Sequence, residues 1–272
     1  MLQIETEWKQ NLLLSEIFSS VQGEGTNLGA PSVFLRLATC NLHCWYCDTK
    51  YTWMYSEKML QTVKADLSRL GVEVSKIPQD LKVYDLSSEA QQTPVDEVAR
   101  KVAESGINHL VITGGEPMLQ QEQLVQLLRL LEGIGGKGRD FYVEMETNGT
   151  VRPSEKILPF IDQWNVSPKL ESSGNSAFAR EKGEALKSYV FLPNSFFKFV
   201  VSKECFEKDL LEIESFASRF GILPARIILM AEGTDASTLR NQTALLSKIC
   251  EKRGYRLTPR LQILLWGNKR GT

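Results

Sequence analysis

From residue 94 onward the chain alternates short β-rich runs with amphipathic segments, and few architectures accept that order. A strand, a covering helix and a returning parallel strand make the βα unit, which builds parallel sheets and barrels. Residues 32–38 (SVFLRLA), 109–113 (HLVIT), 141–146 (FYVEME), 163–167 (QWNVS), 196–202 (FFKFVVS), 226–231 (RIILMA) and 261–266 (LQILLW) read as strands. Helices lie between them. In TPVDEVARKVAESG, Thr93 suits the N-cap, Pro94 the first turn and Gly106 the stop. LQQEQLVQLLRLLEG and DASTLRNQTALLSKICEKRG return apolar residues at three and four positions. About six units emerge, short of the eight that close a full barrel. The expected fold is α/β, a partial, open TIM-like barrel with a parallel sheet and its chemistry at the C-terminal strand ends. One domain over residues 1–272 is expected, with an insertion at about 54–93 where a helix-like EKMLQTVKADLSRLG gives way to Gly71, Pro78 and a polar SSEAQQT.

A chain of 272 residues can bury a sizeable core. Its formal net charge of -1 provides no basic field for nucleic acid or an anionic membrane, so the expected partner is a small molecule. The opening MLQIETEWKQ is polar and acidic, unlike a secretory leader, and no apolar run approaches the roughly 20 residues of a spanning helix. A cytoplasmic location is expected. Five cysteines, three of them clustered, do not make a disulfide framework at this size and point to metal or redox chemistry.

The cluster is RLATCNLHCWYCDTKYTW, residues 36–53, in which Cys40, Cys44 and Cys47 follow a strand with the spacing C-x3-C-x2-C. Structural zinc takes four ligands, commonly as two separated pairs. Cys205 and Cys250 lie in helical patterns and read as small buried apolar residues. His43 could complete a Cys3His site only if one short loop wrapped all four bonds, and His109 reads as a packed or capping residue. A four-iron cluster on three thiolates instead leaves one iron open to an exogenous ligand. S-adenosylmethionine can chelate that iron through its amine and carboxylate, and the pair supports radical chemistry.

The triplet, with Tyr46 immediately before its last cysteine, resembles the radical S-adenosylmethionine superfamily. TGGEP at 113–117 resembles its glycine-rich motif, which implies cofactor contacts from Gly114, Gly115 and Glu116, the two glycines allowing close backbone approach. ETNGT at 146–150 and SPK at 167–169 resemble further cofactor-contacting positions, namely Thr147, Asn148, Ser167 and Lys169. Taken singly, each of these motifs also reads as an ordinary turn between strand and helix.

EIFSSVQGEGTNLGAPSVFLRL ahead of the triplet, CDTKYTW within it and LQILLWGNKRGT at the close resemble the 7-carboxy-7-deazaguanine synthase (QueE) family. The resemblance covers most of the chain and is weakest over residues 54–93. It implies a lyase that contracts 6-carboxy-5,6,7,8-tetrahydropterin to 7-carboxy-7-deazaguanine with loss of ammonia, in queuosine and 7-deazapurine biosynthesis. It also implies a 4Fe-4S cluster on Cys40, Cys44 and Cys47, S-adenosylmethionine, and Mg2+ at Thr49. Substrate contacts fall on Gln22, Gly23, Glu24, Arg36 and Thr113, with Arg36 gripping the pterin carboxylate. A homodimer and an electron donor such as flavodoxin complete the expectation. Two rival readings remain at this point: a glycyl-radical-enzyme activase, which would share the triplet and TGGEP, and a zinc-stabilised binding module.

Overall fold

The computed structural model describes residues 11–72, 81–133 and 141–272. Its strands are β1 (Asn11–Val21), β2 (Pro31–Leu37), β3 (Gln91–Pro94), β4 (His109–Gly114), β5 (Tyr142–Thr147), β6 (Gln163–Val166), β7 (Ser195–Val201), β8 (Ile227–Ala231) and β9 (Arg256–Leu257). They form one sheet in the order β3-β1-β2-β4-β5-β6-β7-β8-β9. From β2 to β9 every neighbouring pair is parallel, whereas β1 pairs antiparallel with both β2 and β3. The sheet is unclosed, in keeping with a partial barrel.

The period of two along each strand divides the side chains between two environments. Leu35, Leu37, Leu110, Ile112, Val143, Met145, Phe197 and Phe199 join one apolar core with helix residues such as Val98, Leu124, Leu128 and Phe216. Alternate residues on the same strands face the other way. Arg36, Thr113, Glu146, Asn165 and Lys198 line a cavity on the concave side. Helices α1 (Glu57–Leu70), α2 (Val95–Glu104), α3 (Gln121–Gly133), α4 (Gly183–Phe191), α5 (Phe206–Phe220), α6 (Ala236–Arg253) and α7 (Leu261–Trp266) make up the rest of the layer order.

Two local expectations are corrected. LQILLW forms α7 rather than a strand, because a six-residue apolar run carries no decisive period and its register is set by docking: Leu261 N donates to Gly23 O at 2.9 Å. Thr93 does not cap α2. It lies in β3 opposite Leu12, and the helix begins at Val95 after Pro94 in the cap position.

The segment read as an insertion supports the cysteine loop. Ser56 caps α1 through a 3.3 Å bond from Met59 N, and Gly71 ends it at φ 68°. Leu60, Val63 and Leu67 of that helix pack with Trp45, Trp53 and Met54 in a second, smaller core. The segment then returns as β3 to pair with β1.

Candidate active site

The cysteine loop leaves β2 through Thr39, whose φ of 73° places a β-branched residue in the left-handed region. Three bonds hold that turn. Thr39 N donates to Thr52 O at 2.6 Å, Glu116 N donates to Thr39 O at 2.8 Å, and Gly115 N donates to Leu37 O at 3.0 Å. The close approach explains the glycine pair of TGGEP. A Cβ on Gly114 would lie 2.1 Å from Leu37 O, and one on Gly115 would lie 1.9 Å from Thr39 O. The chain's own packing therefore already requires both glycines, beyond the cofactor access expected of them.

Each triplet cysteine faces an N–H group. Leu42 N lies 3.4 Å from Cys40 Sγ, Asn175 Nδ2 lies 3.2 Å from Cys44 Sγ, and Trp53 Nε1 lies 3.4 Å from Cys47 Sγ. Burial raises the Cys40 thiol well above its ordinary value and pushes Cys44 up to about 11. Iron binding must displace those protons, and N–H groups aimed at sulfur favour the thiolate, so the residues fit an iron–sulfur cluster. Among the described residues no three His, Cys, Asp or Glu side chains are gathered to hold a single ion. Thiolates that each bind a different iron of a cube need not be.

A cavity of about 480 Å³ joins this loop to the sheet. Every residue expected to contact cluster, cofactor, magnesium or substrate lines it except Glu116. Glu116 is fully buried and accepts from Asn148 N and Thr147 Oγ1, both at 2.7 Å, and from Met118 N at 3.0 Å. Its burial raises its pKa. Glu116 thus ties TGGEP to ETNGT through its carboxylate. Lys169 Nζ donates to Ser167 Oγ at 2.8 Å on the cavity wall.

A network of charges adjoins the cavity, with Glu24, Glu146, Lys198 and Arg260 in its lining and Glu144 outside it. Glu144, fully buried, accepts from Gln22 Nε2 at 2.7 Å, Asn27 Nδ2 at 2.6 Å and His109 Nε2 at 3.2 Å, and from Asn165 Nδ2. His109 is accordingly the packed residue expected, with Nδ1 3.0 Å from Ser32 Oγ. Thr113 Oγ1 donates to Glu146 Oε2 at 2.7 Å, and burial raises the Glu146 carboxyl. Glu24 is ion-paired with Lys198 and with Arg260 at 3.3 Å, and accepts from Gln262 Nε2 at 2.8 Å. Burial alone would raise Glu24, but Lys198 and Arg260 more than offset it and hold the carboxyl at about 2. Arg260 also reaches Asp48 of the cysteine loop and the carbonyl of Gly233. Arg36 donates from Nε to Glu16 Oε2 at 3.0 Å and packs over the Phe18 ring.

Several of these residues were not anticipated. Glu144, Glu146 and Lys198 carry a usable signal, since each is a charge at an alternate position of an otherwise apolar strand. Glu16, Trp53, Asn175, Arg260 and Gln262 reach the site through tertiary contacts that no local pattern announces.

Residues 36–168 match the Radical SAM superfamily profile, which defines the class as a radical enzyme using a 4Fe-4S cluster and S-adenosylmethionine. Among curated relatives, the 7-carboxy-7-deazaguanine synthase of Pyrobaculum aerophilum is 34% identical over 94% of this chain and 95% of its own length. That of Rhodopirellula baltica is 31% identical over 97% of this chain and 90% of its own. The chain belongs to the 7-carboxy-7-deazaguanine synthase family. The crystal structure of QueE from Escherichia coli shares the fold, with a TM-score of 0.61 at 24% identity, covering 94% of this chain and 98% of that one. These relatives favour neither the activase nor the zinc-module reading. No helix among the described residues is long and apolar enough to cross a membrane.

Proposed function

We propose that the protein converts 6-carboxy-5,6,7,8-tetrahydropterin to 7-carboxy-7-deazaguanine with loss of ammonia. The observation that carries this reading is one cavity of about 480 Å³ with the cysteine triplet on one wall and the charges of Glu24 and Arg36 on another. Cys40, Cys44 and Cys47 would hold the cluster. When bound, the cluster and S-adenosylmethionine supply hydrogen-atom abstraction at a substrate carbon.

The chain's own residues hold that carbon in place. Glu24, ionised by its cationic neighbours, is an acceptor only, and its remaining lone pairs suit the amine and ring N–H of the pterin. Arg36 binds Glu16 through Nε, which leaves its terminal nitrogens to form a bidentate fork on the substrate carboxylate. Glu144 orients the Gln22 amide by accepting from Nε2, so Oε1 points back to Glu24 N at 3.2 Å. Gly23 permits close docking of the C-terminal segment, since its carbonyl accepts from Leu261 N at 2.9 Å and a Cβ there would lie 3.2 Å from Gln262 N. Tyr46, Gly114, Gly115, Thr147, Asn148, Ser167 and Lys169 form the cofactor side of the cavity, and Thr113 faces the pterin. Thr49 would offer its hydroxyl oxygen to Mg2+, which would help neutralise the substrate carboxylate; a flavodoxin-type electron donor, a homodimer and a single domain over 1–272 belong to the same reading.

Anaerobic protein loaded with iron and sulfide, supplied with S-adenosylmethionine, magnesium and a chemical reductant, is expected to turn the carboxypterin into a product with the mass of 7-carboxy-7-deazaguanine. A pterin without the carboxylate is expected to be a poor substrate. Cofactor cleavage with no consumption of carboxypterin would leave the class intact and overturn the substrate.

A further inference from the structure

We propose that Asn175 and Trp53 are tuning residues of the iron–sulfur centre, raising its reduction potential through N–H···S bonds to two of the three cysteines. The inference rests on the cluster lying at Cys40, Cys44 and Cys47, and on nothing about the pterin. Asn175 is buried, and its amide orientation is fixed from both ends. The His43 backbone N–H donates to Asn175 Oδ1 at 2.9 Å, so Nδ2 must be the group that faces Cys44 Sγ at 3.2 Å and Ser173 Oγ at 3.1 Å. The segment is held independently of the sulfur, because Trp45 Nε1 donates to Ser172 O at 2.8 Å and Trp45 N to Ser173 O at 3.3 Å.

Trp53 is held by different means. It is buried, its ring stacks on His43 at 5.0 Å, and its indole Nε1 lies 3.4 Å from Cys47 Sγ. An indole N–H can only donate, so this contact has one polarity. Both donors are thus positioned before any charge change at the sulfurs.

Reduction takes one electron from a low-potential one-electron carrier, breaks no bond and makes the thiolate-bound centre more negative. Donors aimed at the sulfurs favour the more negative state, and a surrounding of low polarity strengthens them. Loss of one such bond is expected to lower the reduced-to-oxidised ratio about tenfold at fixed ambient potential, equivalent to a midpoint lower by about 59 mV for one electron.

The test is an EPR-monitored redox titration of anaerobically loaded protein without pterin, alongside iron and sulfide analysis. Trp53→Phe keeps the stacked ring and removes the donor. Asn175→Asp keeps the acceptor for His43 and replaces the donor with a carboxylate oxygen. Both variants are expected to load iron like the parent and titrate at lower potential, the Asp variant by the larger step. Midpoints equal to the parent's in loaded variants would overturn the proposal. Should either variant fail to load, pulsed EPR of the reduced parent carrying 15N in its asparagine side-chain amides and tryptophan indoles decides: 15N coupled to the centre sustains the assignment, and its absence ends it. A parent that holds no cluster would overturn the underlying reading instead, whereas shifted midpoints with no pterin turnover would remove only the substrate.

Discussion

Lys198 of β7 and Glu24 of the loop after β1 meet in the cavity lining as an ion pair, although 174 residues separate them. Arg260 gives Glu24 a second cation, and together they hold its carboxyl at about 2 against an ordinary 4.5, despite burial. A depressed carboxyl contributes stability that is fully present above its unfolded value and is lost as pH falls through its folded one. The contribution is therefore complete at neutral pH and lost between 4.5 and about 2. Lys198→Met is expected to raise the Glu24 value, shift the acid limb of the kcat/KM profile upward, and cost about 3 kcal/mol at pH 7. An unchanged limb in the pH–rate profile would show that Arg260 alone fixes the charge.

Glu144 accepts from four side chains contributed by three separate chain segments, the loop after β1 supplying two of them. Glu144→Ala leaves the buried amides of Gln22 and Asn165 without this acceptor, each costing about 1–3 kcal/mol before relaxation. The expected net loss is about 3 kcal/mol or more, read as a lower urea midpoint at constant slope. Because Gln22 is among the donors, KM for the pterin is expected to rise in whatever fraction remains folded.

Gly115→Ala places its methyl carbon 1.9 Å from Thr39 O, a backbone atom that cannot rotate away. The turn carrying the cysteine loop must then open. Expected results are a loss of about 2 kcal/mol or more and incomplete iron loading. Gly133→Ala, where an added Cβ meets nothing within 4 Å, is the control and is expected to be near neutral in both measurements.

Arg270 joins the C-terminal segment to the rest of the site through Glu16, through Glu89 at 2.6 Å and over the Tyr51 ring at 3.8 Å. Residues 268–272 line the cavity. The Arg270 side chain is 43% exposed, so Arg270→Ala is expected to change stability by less than about 1 kcal/mol. The effect is expected instead as a several-fold rise in KM with kcat little altered, and as faster amide exchange at 268–272. A fall in thermal stability with KM unchanged would assign Arg270 to the scaffold.

The parallel strands were legible because buried β-branched and aromatic runs, separated by helical periods, have few other solutions. β2 and β4 to β8 lie where those runs stand, within a residue or so. LQILLW misled because apolarity without a period does not choose between helix and strand, and the docking on Gly23 chose. β1 was read as a motif rather than a strand, and its partner β3 lay in the part read as an insertion. In the site, spacing alone disclosed the cysteines. The tie that the Glu116 carboxylate makes to ETNGT was not legible, since whether a carboxylate faces a cavity or a neighbouring loop is decided by three-dimensional packing.

The ends of the sheet bear on how copies of this protein can meet. Among the described residues it stops at β3, four residues long, on one side and at β9, two residues long, on the other. Such short edges give an incoming strand little to pair with. Native association by strand addition is therefore disfavoured, leaving helical faces for assembly. The protection is unequal, because β3 pairs only with Asn11–Leu14 of β1, an eleven-residue strand. Deleting residues 81–94 would bare Asn11–Leu14 as well and make the whole of β1 an edge, raising the tendency of the chain to aggregate through its own backbone.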